Sequence, residues 1–220
     1  MQKKYKAVLF DLDGTLLDTS LDLSGALNYA LKKNGLPERT VNETKQFTGN
    51  GIRVLVKRAV PGGEMNPLYE KTFSDFKTRY SAHLLDKTVP YPGIIDVLKK
   101  LKNDGYKLAI ISNKNDLLVK QIDYFYFDGK IFDVVSGTTP DVPFKPSPEM
   151  VNLALLKLGI KKEEALYVGD TNIDFDTAKN ANVDVIMVSY GFKPKQFLID
   201  YGVKDIIDSP QELIKRLEDD

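Results

Sequence analysis

The sequence predicts an α/β protein, a doubly wound parallel sheet that carries an inserted all-helical unit. Three observations lead there. Short apolar runs bounded by polar or turn residues recur through most of the chain, helical patterns closed by glycine lie between them, and this rhythm stops between about Leu21 and Leu85.

The runs at Ala7 to Phe10, Leu108 to Ile111, Val134 to Val135, Leu166 to Val168, Val185 to Val188 and Asp205 to Ile207 read as buried strands. Ile94, Val97, Leu98 and Leu101 keep helical spacing ahead of Gly105; Met150, Leu153, Ala154, Leu156 and Leu158 do so ahead of Gly159; Leu213, Ile214 and Leu217 repeat the pattern near the end. Within the interruption, Leu23, Leu27, Ala30 and Leu31 are helically spaced, as are Phe73, Phe76, Tyr80 and Leu84. The apolar segment Val54 to Val60 reads as a further helix. The expected organisation is therefore a core of residues 1–17 and 86–220 with a helical insertion over 18–85, entered after Asp11 and left before Tyr91-Pro92-Gly93.

Composition removes several classes of function. Thirty-one basic and 31 acidic residues cancel, so no global field attracts nucleic acid or an anionic membrane, and any anion site is local. Hydrophobic residues at 42% and charged residues at 28% match a chain that buries an ordinary core. No cysteine and a single histidine exclude disulfides, thiolate clusters and multi-histidine metal sites, which leaves carboxylates and other oxygen ligands. The longest apolar runs have four residues, against roughly 18 for a membrane span, and the MQKKY start has no apolar signal-peptide segment. A cytoplasmic location is expected. The lone His83, in a helical stretch, reads as a structural residue, and KKEE at 161–164 as a solvated turn.

Ligands of open α/β sheets bind beyond the carboxyl ends of the strands, so the polar residues that end each apolar run are the candidates. Strand one ends in Asp11-Leu12-Asp13-Gly14-Thr15, strand two in Ser112-Asn113, and strand four in Gly169-Asp170 followed by Asp174; the loop after strand three carries Lys145. Asp11 and Asp170 meeting at one rim repel unless a cation lies between them. A small oxygen-only ligand set suits Mg²⁺ completed by a substrate phosphate. Lys145 and the Ser112 hydroxyl are what phosphoryl oxygens need. Asp13 faces away from Asp11 on an extended strand, and the glycine at 14 permits a turn that brings it back. Taken singly, Asp174 reads as a helix cap, Ser112-Asn113 as a turn and Lys145 as an exposed lysine; their joint placement after successive strands points to a site.

These residues resemble the haloacid dehalogenase-like hydrolases. DLDGTLLDT at 11–19 is similar to that family's first motif, Ser112 in IISN to its second, Lys145 in FKPSP to its third and GDTNID at 169–174 to its fourth. The resemblance covers nearly the whole chain. It implies a Rossmann-like core with a small C1-type helical cap, and Asp11 as nucleophile with Asp13 as general acid and base. It also implies Thr15, Ser112, Asn113 and Lys145 as phosphate partners, and Mg²⁺ held by Asp11, Asp170 and the Asp13 carbonyl with Asp174 in support. FTGNGIRVLVKRA at 47–59 and the cap spacing are similar to bacterial phosphoglycolate phosphatases. Gly49, Asn50, Gly51 and Arg53 are accordingly the candidates for substrate contact from the cap. Lys57 and Arg58 fit either a cationic contact or a solvent-facing position.

The implied activity is Mg²⁺-dependent hydrolysis of a small phosphorylated metabolite, phosphoglycolate foremost, through an aspartyl-phosphate. β-Phosphoglucomutase and pyrophosphatase chemistry of the same family are the alternatives. A dehalogenase is disfavoured because Asp13 is present, and a phosphonate hydrolase because the cap offers no clear Schiff-base lysine. A phosphoaspartate signalling receiver would have no DxD pair ending strand one and no helical insertion after it.

Overall fold

The computed structural model describes residues 4–219; the first three residues of the MQKKY start lie outside them. The chain divides into two compact units, one running up to Leu17 and resuming at Pro90, the other spanning Asp18–Val89. It leaves the first unit through β2 (Leu17–Asp18) and returns through β3 (Val89–Pro90), which pair as a two-stranded sheet. Strands of two residues are too short to show a period, and the sequence reading did not include them.

The first unit is built on β1 (Ala7–Phe10), β4 (Lys107–Asn115), β5 (Val134–Thr138), β6 (Ala165–Gly169), β7 (Asp184–Val188) and β8 (Ile206–Ile207). All neighbours pair in parallel, in the order β5-β4-β1-β6-β7-β8. Every residue of β1 is buried, as a strand covered on both faces requires. Ala7 and Leu9 point to one face, where they pack with Ala109, Ile111 and Tyr167. That face is covered by Met150, Val151, Ala154 and Leu155 of α7 (Glu149–Leu158) and by Ala178 and Ala181 of α8 (Asn172–Ala181). Phe10 points the other way, its ring 6.4 Å from that of Phe132.

The expected doubly wound sheet is present, with two differences of detail. Strand β4 does not stop at Ile111: it runs through Ser112, Asn113 and Lys114 to Asn115, with its pairing to β5 irregular beyond Ile111. The second lies in the helices: α8 and α9 (Lys195–Asp200) are absent from the expected ones, and so is α6 (Asp116–Phe127). Its buried Val119, Ile122 and Phe127 are interleaved with exposed Leu117, Tyr124 and Phe125, which blurs the apolar stripe that marks an amphipathic helix. The expected helix ahead of Gly105 is α5 (Ile94–Asn103), and the one near the end is α10 (Pro210–Asp219).

The second unit is helical: α1 (Ser20–Lys33), α2 (Val41–Phe47), α3 (Ile52–Ala59) and α4 (Tyr69–Ala82). Thr40 and Glu43 form a reciprocal capping box at the start of α2, a T-x-x-E signature. The Asp22 carboxylate ties the two ends of the insertion together by accepting from the backbone N–H of Lys87 and Thr88 and from the Thr88 hydroxyl, at 2.8 to 3.0 Å. His83 pairs with Asp86 at 2.8 Å at the surface. Among the described residues no helix is long and apolar enough to cross a membrane.

Candidate active site

Register alone brings the candidate residues together. Phe10 lies opposite Ile110 on one side and Val168 on the other, so the next residues along the three central strands are Asp11, Ile111-Ser112 and Gly169-Asp170. The Asp11 N–H continues the ladder, donating to the Val168 carbonyl at 2.9 Å. The chain winds outward from β1 to β4 and β5 in one direction and through β6 in the other. Asp11 therefore sits at the switch point where open α/β sheets bind ligands.

Asp11, Asp170 and Asp174 each offer a carboxylate oxygen within 4.8 Å of the others, and all three are buried. Lys145, on the loop between β5 and α7, enters this cluster with its Nζ 2.8 Å from Asp11 Oδ1 and 2.7 Å from Asp174 Oδ1. It also donates to the Ile111 carbonyl at 3.0 Å and the Tyr167 hydroxyl at 3.1 Å. Burial pulls the lysine's pKa down, but the Asp11 and Asp174 charges outweigh it and hold the ammonium well above its usual value. One cation does not satisfy three acids. Burial pushes the Asp11 carboxyl up to about 7, with the Asp174 charge adding and Lys145 opposing. Burial, Asp174 and Asp11 likewise raise Asp170 well above the carboxylate range, against a hydrogen bond from the Phe192 N–H.

This set fits a hard divalent cation. With Asp13 and Lys114 included, four carboxyl groups face two ammonium groups, and such an ion would balance the two further negative charges that full ionisation leaves. Among the described residues, Asp11, Asp170 and Asp174 are the grouped side chains whose oxygens would hold it, beside the expected Asp13 carbonyl.

Backbone shape makes room for the cluster. Gly14 has φ +91°, and a Cβ there would lie 2.2 Å from Asp170 Oδ2, so only glycine turns the chain at this point. Beyond that turn Thr15 Oγ1 donates to Asp170 Oδ1 at 3.1 Å, and the Phe192 N–H donates to Asp170 Oδ2 at 2.7 Å. Asp174 combines the bland and the functional readings. Its Oδ2 accepts from the Thr171 N–H and hydroxyl, capping α8, while Oδ1 faces Lys145.

Two of the expected phosphate partners have other bonds here. The Asn113 amide clamps the Lys145 backbone, accepting from its N–H at 2.8 Å and donating to its carbonyl at 3.0 Å. The Thr15 hydroxyl is on Asp170. Both side chains thus orient charged groups of the cluster. Ser112 is buried in β4, and its Oγ accepts from the Lys114 N–H at 3.2 Å.

The sequence reading passed over Lys114, whose buried ammonium pairs with Asp13 Oδ1. A signal existed, because residues two apart share a strand face and Lys114 follows Ser112 at that spacing. It also passed over Tyr167, two residues before Gly169 on β6, which braces Lys145. The Phe192 contribution comes from the main chain and leaves no trace in residue type.

In the helical unit, Gly49 and Gly51 adopt φ of 121° and 82° on either side of Asn50. The Arg58 guanidinium holds this loop, donating to the Phe47 carbonyl at 2.8 Å and to Asn50 Oδ1 at 3.0 Å. Arg53 is engaged with Glu70 through two hydrogen bonds, at 2.8 and 3.3 Å, and lies over the Phe73 ring. Lys57 pairs with Glu64 at 3.1 Å.

Comparison with known proteins agrees with this geometry. A phosphoglycolate phosphatase of Aquifex aeolicus is 33% identical over 215 residues, covering 97% of this chain and 97% of that one. Phosphoglycolate phosphatase 1 of Pseudomonas aeruginosa is 33% identical over 95% of this chain and 78% of its own length. A crystal structure from Lactobacillus delbrueckii subsp. bulgaricus, provisionally named a phosphoglycolate phosphatase, superposes with a TM-score of 0.93 at 35% identity, covering 97% of this chain and 98% of that one. CbbY of Rhodobacter sphaeroides, solved in complex with phosphate, has a TM-score of 0.76 at 25% identity over 95% of this chain and 96% of that one. The sequence pattern of the haloacid dehalogenase-like hydrolase family matches residues 8–188, and the chain belongs to that family.

Proposed function

We propose that this hydrolase is a Mg²⁺-dependent phosphomonoesterase that forms an aspartyl-phosphate on Asp11, with phosphoglycolate as its substrate. The observation that carries the reading is the buried convergence of Asp11, Asp170 and Asp174 on Lys145 at the switch point of the sheet. The substrate rests on the names of relatives one-third identical to this chain over nearly its whole length.

In this reading an Asp11 carboxylate oxygen attacks phosphorus as the bond to the departing oxygen breaks, and Asp13 gives that oxygen its proton. Asp13 then takes a proton from the water that attacks the aspartyl-phosphate, releasing inorganic phosphate and restoring the Asp11 carboxylate. Ser112 and Lys145 hold the phosphoryl oxygens, and Asn113 and Tyr167 hold Lys145. A bound magnesium ion would supply the positive charge that lets Asp11 stay ionised and draws the phosphate toward it. The Gly49-Asn50-Gly51 loop and Arg53 remain the candidates for selectivity in the helical unit.

A screen of the purified chain against phosphoglycolate, sugar phosphates, nucleotides, acyl phosphates and pyrophosphate, with Mg²⁺ and with EDTA, tests the reading. The highest kcat/KM on phosphoglycolate, lost in EDTA, is expected. A higher value on a sugar phosphate, with a phosphorylated sugar as product, would replace it with a mutase, and full activity in EDTA would remove the metal.

A further inference from the structure

We infer that Lys114 is a specificity-determining residue, a buried ammonium in the core that recognises the carboxylate of an anionic leaving group. The inference rests on the phosphoglycolate reading and assigns part of its selectivity to the sheet. Lys114 has only 3% of its side chain exposed and is paired with Asp13, whose own side chain is 15% exposed. A lysine buried this deeply is costly unless its charge is used, and Lys145 already serves the Asp11 and Asp174 side of the site.

The two ammonium groups thus divide the site. Lys145 stands beside Asp11, the acid assigned to phosphorus, and Lys114 stands beside the acid assigned to the departing oxygen. Lys114 follows Ser112 by two residues on β4, and the Ser112 hydroxyl accepts from the Lys114 N–H. In phosphoglycolate one methylene separates the ester oxygen from the carboxylate. The residue that protonates this oxygen would therefore stand within one methylene's reach of the carboxylate, and Lys114 touches that residue. An ammonium has three N–H donors, so holding Asp13 and a carboxylate together is within its valence. The Arg53 pair with Glu70, by comparison, is open to solvent.

The test compares phosphoglycolate with 2-hydroxyethyl phosphate, in which a neutral hydroxymethyl replaces the carboxylate, in wild type, Lys114→Gln and Lys114→Arg. Glutamine keeps an N–H for Asp13 without the charge; arginine keeps the charge. Lys114→Gln is expected to lower kcat similarly on both esters, through Asp13. Only for phosphoglycolate should it also raise KM, by roughly ten to a hundred fold, the scale of one charge-assisted hydrogen bond. Lys114→Arg should restore most of that KM. Equal KM changes on both esters, or none on either, would overturn the inference and leave Lys114 as the partner of Asp13 alone. A wild type with no preference between the esters would instead sink the phosphoglycolate reading itself. Melting curves identify any variant that fails to fold, and Lys114→Met takes the place of the glutamine variant in that case.

Discussion

Lys145 Nζ lies 2.8 Å from Asp11 Oδ1, a buried contact between residues brought together by the sheet. The lysine is the counter-charge that lets Asp11 approach ionisation near neutrality. Removing it strands Asp11 and Asp174 without a cation. Lys145→Met should destabilise the metal-free protein by about 3 to 5 kcal/mol, the scale for breaking a buried ion pair, and abolish turnover. Urea unfolding in EDTA measures the first effect. A loss below about 1 kcal/mol would mean the acids are neutral without help.

Stability should depend on pH in the direction set by the raised carboxyls. Asp11 rises from the ordinary 3.8 to about 7 in the folded protein, and Asp170 moves the same way. The folded state therefore holds these protons more tightly than the unfolded chain. Their stabilising contribution is complete below the ordinary carboxylate pKa and is lost as pH rises through about 7. Asp123, raised to about 6 by burial, adds in the same sense. In EDTA the melting temperature should be lower at about pH 8 than at about pH 5, and Mg²⁺ should recover more of it at the higher pH. Saturation to a hundred times the dissociation constant corresponds to roughly 2.7 kcal/mol, or about 5 to 10 °C for a chain of this size. Calorimetry at both pH values, with and without Mg²⁺, checks the sign. A Mg²⁺ shift larger at low pH would contradict it.

Asp11→Asn separates fold from chemistry. The amide has no charge to desolvate, so in EDTA at about pH 8 the variant should melt no lower than wild type. It should have no measurable turnover and form no phosphoenzyme, because an amide is a poor nucleophile. Turnover within tenfold of wild type would take Asp11 out of the nucleophile role.

Asp13→Asn should divide substrates by leaving group. An alkyl phosphate needs a proton on its departing oxygen and should be turned over very slowly. p-Nitrophenyl phosphate should still phosphorylate Asp11 and then stall, because no base remains to activate water. Acid quenching followed by mass analysis should show the accumulated phosphoenzyme. Equal losses on both substrates without it would argue against the acid and base assignment.

Arg58 rather than Arg53 is the support of the 47–51 loop. Arg58→Ala removes the bonds to the Phe47 carbonyl and Asn50 Oδ1, so amide hydrogen exchange over 48–51 should speed up. Arg53→Ala, which loses its pair with Glu70, should leave exchange in that loop near wild type. The reverse pattern would show that the Arg53 and Glu70 pair shapes the loop.

The sequence by itself determined the elements whose cause is local. Ala7 to Phe10 is apolar on both faces and is a buried strand; Asp11, Asp170 and Lys145 follow strands; Gly14 permits a turn after Asp13. Strand period and the freedom of glycine to turn are written in neighbouring residues, so they are legible without coordinates; the order of the strands follows from their pairing in the folded chain. The tertiary structure decided the bonds whose partners are distant in the chain: Lys114 with Asp13, Asn113 with the Lys145 backbone, Thr15 and the Phe192 amide with Asp170. It also decided that Arg53 faces Glu70 while Arg58 holds the glycine loop. Residue type does not encode these choices. They follow from register and loop path, which set the few ångströms within which a buried charge either finds its partner or remains too costly to keep ionised.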